Sequence, residues 1–225
     1  YFGKIQYKFK SNQNTYRIYY DMYDEKITNL GFPRLPYFET AFDDYYFTKR
    51  NNFGFDIDFN LNDFKKIKIL SSINDYNRIK NTYFKDLTTL EETLTNSNSD
   101  QDTSQFNLLM NKVVFSSFSN ELINYQIGFD SKVELAKGQR INNEQRSLGD
   151  HAIFLTSKWN PTNYFSIKPA FRFSYNSKFN VPIIPSLNMI YKENDYTLRF
   201  SYAKGFRSPS LKELFFEFVD INHNI

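Results

Sequence analysis

The side chains that could most readily take part in binding or catalysis stand close together near the end of the sequence. Arg207 precedes Glu213 and Glu217. Its guanidinium could bind a substrate carboxylate, or it could pair with one of these acids and fix the entry to a loop. We favour the ion pair, because it is the ordinary use of an arginine beside acids. Pro209 cannot donate a hydrogen bond to a β-ladder, so we expect it to end the strand before it.

The sequence carries little that could support catalysis. His151 follows Asp150, but no serine or second acid completes a catalytic motif with them. Asp43 and Asp44 are adjacent, and adjacent residues of a strand point to opposite faces, so they cannot act as one acid–base pair. There is also no glycine-rich phosphate loop. We therefore predict that the chain is not an enzyme.

The composition excludes further classes of protein. The chain has 225 residues, with 28 Lys and Arg against 25 Asp and Glu, and no Cys. The lack of Cys excludes zinc–thiolate centres and disulfide scaffolds. A net charge of +3 argues against a nucleic-acid partner, because such proteins carry a clustered basic face. No run approaches the roughly 18 apolar residues of a transmembrane helix. A membrane β-barrel is not excluded, because its strands alternate apolar and polar residues and contain no long apolar run.

An alternation of apolar and polar residues dominates the sequence, and it is typical of strands with one apolar face. It runs without interruption from Phe165 to Asn176. We predict an all-β fold, an antiparallel up-and-down meander of about ten strands. Their ranges are roughly 2–10, 15–23, 40–60, 64–80, 104–118, 123–136, 151–159, 164–176, 183–192 and 196–204. The alternation breaks down in 25–50 and 76–95, and residues 93–103 are predicted to be a solvated loop.

Short polar turns and longer polar segments alternate between these strands, as in outer-membrane barrels. The alternative is a soluble β-sandwich, in which the apolar face packs on a second sheet and the strands are usually shorter. We favour part of a large transmembrane barrel, because several strands reach the roughly 9–11 residues of a membrane crossing. Aromatic residues also cluster beside the short turns, as in an interfacial girdle. These are Tyr16, Phe64, Tyr125, Trp159, Tyr164, Tyr191 and Tyr196.

Residues 205–214 have the sequence GFRSPSLKEL, directly after an Arg-containing strand pattern. With this motif, the segment from residue 182 onward resembles the barrel of a TonB-dependent outer-membrane receptor. In such barrels an Arg-containing strand is commonly followed by Gly-Phe-Arg-Ala-Pro-Ser-Leu-Lys-Glu-Leu, so Ser208 replaces the alanine. The matching positions that we single out are Gly205, Phe206, Arg207, Pro209 and Glu213. Residues 171–177 resemble the preceding strand, whereas 1–150 support the resemblance only through their pattern of strands and turns.

The resemblance implies a receptor in the bacterial outer membrane, in contact with membrane lipid, that imports haem, an iron–siderophore complex or cobalamin. It implies no permanently bound cofactor, because haem or the siderophore complex would be transported cargo. It also implies a barrel of about 22 strands filled by an N-terminal plug domain, which contacts the TonB energy-coupling complex. A non-transporting, β-rich surface or adhesin-like protein is the alternative.

The resemblance also suggests residues for the cargo path. In haem receptors of the family, a histidine between the Phe-Arg-Ala-Pro box and an Asn-Pro-x-Leu box is proposed to coordinate the haem iron. His223 falls in that interval, which makes it a candidate haem ligand. The inward row of the barrel is predicted to contain Lys168, Arg172, Arg199 and Lys204. These cations could line a path for anionic cargo, but we favour a solvated wall that pairs with acids of the plug.

The ends of the sequence suggest a fragment. The sequence begins inside a strand-like pattern, with no initiator Met and no signal peptide, and it stops in a loop-like stretch. We therefore expect residues 1–225 to be one partial receptor barrel, without the plug domain and without the C-terminal strands.

Overall fold

The computed structural model describes residues 1–96, 100–118, 122–141 and 145–215, which contain one antiparallel sheet of eleven strands. Strands that follow each other in sequence are neighbours in the sheet, except that β4 pairs with both β5 and β6. This confirms the predicted all-β meander. The strands are β1 (Phe2–Ser11), β2 (Asn14–Asn29), β3 (Thr40–Asn62), β4 (Lys65–Asp86), β5 (Glu92–Leu94), β6 (Asp102–Ser117), β7 (Ile123–Gly138), β8 (Arg146–Trp159), β9 (Phe165–Asn176), β10 (Ile184–Glu193) and β11 (Tyr196–Ala203).

Two short helical pieces accompany the sheet. A single 3-10 turn, Gln139–Ile141, follows β7, and helix α1 (Leu211–Phe215) follows β11. Within the described ranges, no helix is long and apolar enough to span a membrane.

The strand register aligns the apolar residues of successive strands on one face. One cross-strand row runs through eight neighbouring strands without a polar residue other than a tyrosine. Its members, paired in this order, are Phe9, Tyr16, Ile57, Ile69, Val113, Phe129, Ile153 and Phe173. A shift of the pairing by one residue would move all the apolar side chains of a strand to the other face. This alignment therefore fixes the register of each strand. We call this side of the sheet the outer face, and the opposite side the inner face.

Burial on the two faces is the reverse of that in a soluble protein. On the outer face, the side chains of Ile153 and Phe173 are 55% and 52% exposed. On the inner face, Ala152 is 2% exposed and Asp56, a charged residue, is 7% exposed. The sheet therefore curls around its polar face and leaves its apolar face uncovered. No second sheet covers the apolar face in the described part of the chain. This contradicts the sandwich alternative.

The two ends of the strands differ in how they are connected. At one end, which we call the turn end, β1 joins β2 and β10 joins β11 through two residues each. Asn12 and Asn194 have positive φ values of 52° and 50° in these turns, and asparagine tolerates this left-handed conformation better than most residues. At the opposite, loop end the connections are longer, such as 30–39 between β2 and β3. The predicted alternation of short and long connections is confirmed.

The structure corrects the sequence prediction in the regions where the alternation fails. β2 continues to Asn29 and β4 to Asp86, well past their predicted ends. Glu92–Leu94 form β5 on the edge of β4, although residues 93–103 were expected to be a loop. Toward the loop end of β4 polar residues such as Asp75, Asn77 and Asn81 enter the outward positions, which also hold Ile79 and Tyr83. The alternation stops there because the strand continues beyond the apolar band.

Two inner-face glycines let large rings lie flat on the sheet. Gly54 pairs with Tyr19, and Gly128 pairs with Phe154. A Cβ atom added at either glycine would fall on the partner's ring. Each glycine is therefore required for close approach of an aromatic side chain, which is a known device for keeping glycine in a curved sheet.

A row of polar residues crosses the outer face over five neighbouring strands. The hydroxyl of Ser71 donates to Asn111 Oδ1 at 2.7 Å, and Ser131 Oγ lies 2.8 Å from His151 Nδ1. The ring of His151 stacks on that of Tyr175, with centroids 6.4 Å apart. The register places all five residues side by side. These polar groups therefore largely satisfy one another within an otherwise apolar face.

Candidate functional site

The segment after β11 folds back over the inner face and ends in helix α1. Ser210 and Glu213 form a reciprocal cap at the start of this helix. The Ser210 backbone N–H donates to Glu213 Oε2 at 2.7 Å, and the Glu213 N–H donates to Ser210 Oγ at 3.3 Å. The Ser-Leu-Lys-Glu part of the sequence motif therefore has a clear local role, which is to start a helix immediately after Pro209.

Arg207 pairs with Glu213 across this cap. Arg207 Nη2 lies 2.5 Å from Glu213 Oε1, so the guanidinium contacts one of the two acids that were considered as its partner. Hydrogen bonds from the Ser210 N–H and hydroxyl, followed by the contact with Arg207, hold the pKa of Glu213 below its ordinary value. β11 ends at Ala203. The expectation that Pro209 ends the strand is therefore wrong, because the ladder stops six residues earlier and Pro209 belongs to the approach to α1.

Leu211 anchors helix α1 to the inner wall. Its side chain is 4% exposed and packs against Ala136, Ile141 and Leu148. Phe215 packs against the same cluster. Since this is the main apolar cluster of the described residues, it is the feature that most strongly fixes α1 to the wall.

A polar contact joins the motif to the sheet as well. Ser208 Oγ donates to Asp150 Oδ2 at 3.1 Å, and the ring of Phe206 lies 6.3 Å from that of Phe179, centroid to centroid. Ser208 is the position where the family sequence has alanine. The substitution therefore adds a hydrogen bond from the motif to β8. Gly205 has open space around its Cα.

The inner face beside this segment forms a cavity of about 360 Å³ with an ionic wall. Arg172 forms a bidentate ion pair with Asp130, with nitrogen–oxygen distances of 2.6 and 2.8 Å. Arg17 and Asp56 form a further ion pair across neighbouring strands. Basic and acidic side chains on this part of the wall therefore neutralise each other, and they leave little net charge for a ligand.

The four residues predicted for the inward row have different positions. Arg172 faces this cavity, whereas Lys168 lines a smaller cavity at the turn end with Lys158. Arg199 pairs with Ile190 on the inner face, on the last strand of the sheet. Lys204 lies beyond the end of β11. Its backbone N–H donates to the Pro185 carbonyl at 3.1 Å, and its place in the inward row stays a prediction.

The remaining candidates from the sequence lie outside the described residues or on the outer face. His223 and Glu217 lie outside the described residues. His151 faces outward, where it contacts Ser131 and Tyr175, and it does not reach Asp150 on the inner face. Within the ranges that the structure describes, no three His, Asp or Glu side chains are grouped as metal ligands.

A polar cluster fastens the loop-end extension on the outer face. Asp43 is 1% exposed and accepts a hydrogen bond from Gly31 N at 2.9 Å. Lys85 lies 3.4 Å from Asp43 and 2.9 Å from Glu92, and Tyr45 donates to Glu92 at 2.9 Å. Hydrogen bonds from Lys85 and then Tyr45 hold the pKa of Glu92 below its ordinary value. The cluster therefore joins the 30–39 connection and β5 to the loop ends of β3 and β4.

Several inner-face residues near α1 were missed at the level of sequence. Tyr46, Arg50, Tyr76, Arg78 and Lys80 line two adjoining cavities with Lys212 of α1. They lie in the two regions where the alternation fails, and no motif marks them. Only the strand register, which the sequence pattern did not give there, brings them together.

Two comparisons with known proteins gave matches. A family model described as TonB dependent receptor-like, beta-barrel, matches residues 2–224. A crystal structure of the siderophore receptor PirA from Pseudomonas aeruginosa superimposes with a TM-score of 0.48 and 10% sequence identity. That alignment covers 92% of this chain and 43% of PirA, so the chain spans less than half of the PirA length. This similarity is too weak to bear on cargo. A search of curated proteins gave no match.

Proposed function

Because this chain belongs to the TonB-dependent receptor β-barrel family, we propose that it forms part of the wall of an outer-membrane receptor. That receptor binds and imports an iron complex, either haem or a siderophore complex, or cobalamin. Members of this family are transporters and not enzymes. The energy for transport comes from the TonB complex, which acts through a plug domain outside this chain.

The single observation that best supports this function is the reversed burial of the two faces. Side chains such as Phe129 and Ile153 are aligned and exposed over neighbouring strands, whereas charged residues such as Arg172 and Asp130 lie opposite them on the inner face. In water, exposure of so large an apolar surface would be unfavourable. In an outer membrane the same surface contacts lipid, and the charged face lines a wet interior.

The inner-face segment 205–215 supports a role in organising the cargo path. The capped helix α1, the Arg207–Glu213 pair and the Ser208–Asp150 hydrogen bond fix this segment against the wall. A fixed segment at the loop end can hold neighbouring side chains in place for a ligand. In this account Arg207 positions the segment, and contact with cargo falls to other residues.

Transport by the whole receptor tests the proposed function. A strain that lacks the receptor, complemented with the intact gene, is expected to accumulate a labelled iron complex or cobalamin only when TonB is present. If the intact receptor folds in the outer membrane and supports no TonB-dependent uptake from a panel of haem, siderophore complexes and cobalamin, the proposal is wrong.

Haem titration of the purified intact receptor separates the cargo classes. If haem is the cargo and His223 binds its iron, haem should give a shifted Soret band, and this shift should be lost in His223→Ala. His151→Ala is the matched control, because this histidine faces outward. A receptor that shows no Soret change with haem would instead point to a siderophore complex or cobalamin.

A further inference from the structure

A compact patch of basic and aromatic residues covers the inner face at the loop end of β3, β4 and β6. The strand register arranges nine residues in three cross-strand rows. These are Tyr46–Lys80–Asp102, Thr48–Arg78–Ser104 and Arg50–Tyr76–Phe106. Lys212 of helix α1 reaches the same place, since it lines both adjoining cavities. We call these residues the basic–aromatic patch.

The cations of the patch lie against its aromatic rings. The Arg78 guanidinium lies 4.6 Å from the centroid of the Tyr46 ring, and Lys212 Nζ lies 5.1 Å from that of Phe106. The rings of Tyr76 and Phe106 are 5.8 Å apart. Contact with a ring face keeps a cation in place without neutralising its charge. The patch therefore presents ordered positive charge beside apolar ring surface.

The patch differs from the rest of the inner wall in its charge balance. Lys80 pairs with Asp44 at 3.2 Å. Arg50, Arg78 and Lys212 take part in no ion pair with any residue that the structure describes. Elsewhere on the same face, Arg172 is fully engaged by Asp130. Arg50, Arg78, Lys80 and Lys212 outnumber Asp102 and Glu134, the acids that line the same cavities. An anion that enters the patch would therefore gain from several cations at once.

The position of the patch suits a ligand that arrives from the loop end. Two cavities of about 240 and 370 Å³ adjoin there and share Tyr76, Phe106 and Lys212. The outward neighbours on β4 are mixed, since Asp75 and Asn77 are polar and Ile79 is apolar, so this level lies at the loop-end margin of the apolar band. The motif segment borders one cavity through Ser210 and Leu211. The patch is therefore an open chamber wall at this margin.

We propose that the basic–aromatic patch binds an anionic iron complex in which aromatic rings carry the chelating oxygens, namely a ferric catecholate. This inference rests on the proposed function and selects one class among its cargoes. A ferric tris-catecholate carries three negative charges spread around the metal, and its rings can pack on Tyr46, Tyr76 and Phe106. Haem carries only two carboxylates on one edge, and a ferric trihydroxamate has no comparable negative charge.

Binding to the intact receptor in detergent tests the proposal. The probes are a synthetic ferric tris-catecholate, a neutral ferric trihydroxamate, haem and cobalamin, each titrated by calorimetry. We expect the tris-catecholate to bind most tightly, and Arg78→Gln and Lys212→Gln each to weaken it by about tenfold or more. Lys168→Gln removes an inner-face charge at the turn end and should leave the dissociation constant unchanged. Higher ionic strength should weaken binding to the wild type more than to the variants.

Several outcomes would overturn the inference. One is equal affinity for the tris-catecholate and the trihydroxamate, or no loss in either patch variant. Another is a lower stability of Arg78→Gln in urea with an unchanged dissociation constant, which would indicate that the cations pair with acids of the plug domain and do not bind the ligand. TonB-dependent uptake of haem or cobalamin without tris-catecholate binding would leave the proposed function intact and remove only this inference. A folded receptor that binds none of the probes would contradict both proposals.

Discussion

Val113 and Val114 provide a matched test of which face contacts lipid. They are adjacent on β6, so their side chains point to opposite faces. Val113 lies on the outer face, where its cross-strand neighbours are Ile69 and Phe129. Val114 lies on the inner face, between Lys68 and Gly128. We expect Val113→Arg to destabilise the receptor strongly, and Val114→Arg to do so only weakly.

The size of the effect follows from the position of Val113 within the apolar band. On β6 the outward residue toward the turn end is Phe115, and toward the loop end Asn111 of the polar row is followed by Leu109, so Val113 lies near the middle of the band. An arginine on the lipid face near the bilayer midplane costs about 2–4 kcal/mol. At about 1.4 kcal/mol per factor of ten, the ratio of folded to unfolded receptor falls by about thirtyfold to several hundredfold.

Urea unfolding of the intact receptor in phospholipid vesicles measures this difference. The folded fraction can be followed by the gel mobility shift between unheated and boiled samples. If the outer face contacted water, a surface substitution at Val113 would change stability by only about 0.5 kcal/mol. Equal destabilisation by Val113→Arg and Val114→Arg would therefore refute the assignment of the outer face to lipid.

Two further predictions concern the inner face. Gly128→Ala should cost about 1–3 kcal/mol in the same urea assay, because its Cβ would fall on the Phe154 ring. Gly128→Ala/Phe154→Ala should cost less than the sum of the two single variants, and simple additivity would contradict this contact. The pKa of Glu213 is lowered by Ser210 and Arg207, so its contribution to α1 is present at neutral pH and disappears as the pH falls through that lowered pKa. Hydrogen exchange of residues 204–215, corrected for the intrinsic pH dependence, should show this acid-induced loosening in the wild type but not in Glu213→Gln. An unchanged acid response in Glu213→Gln would contradict it.

The sequence alone predicts the sheet well wherever one face is apolar and the other is polar. In β9, for example, alternation from Phe165 to Asn176 marks the strand correctly at both ends. Alternation works there because the environments on the two faces differ sharply. Toward the loop end of β3 and β4, polar residues stand on both faces, so the pattern disappears although the ladder continues. The loop ends of β2 and β4 therefore could not be predicted.

The sequence could supply candidate residues that are close along the chain, but not those that only the strand register brings together. Glu213 could be given as one of two possible partners of Arg207 because only six residues of chain separate them. The basic–aromatic patch depends on the pairing of Arg78 with Thr48 and Ser104, which are distant in sequence. Without the register, nothing in the composition distinguishes these residues from a solvated surface.

The length of the β3–β4 hairpin has a consequence for how a ligand approaches. On β4 the outward residues are mainly apolar up to Ile73 and mixed beyond it, where Asp75 and Asn77 precede Ile79, and the strand continues to Asp86. At about 3.3 Å per residue, residues 74–86 make about 43 Å of strand past Ile73. The polar cluster around Asp43 braces the outer surface of this extension. In the proposed receptor, one side of the entrance would therefore be a tall wall of sheet, and a ligand that arrives from that side would meet folded protein before it reaches the interior.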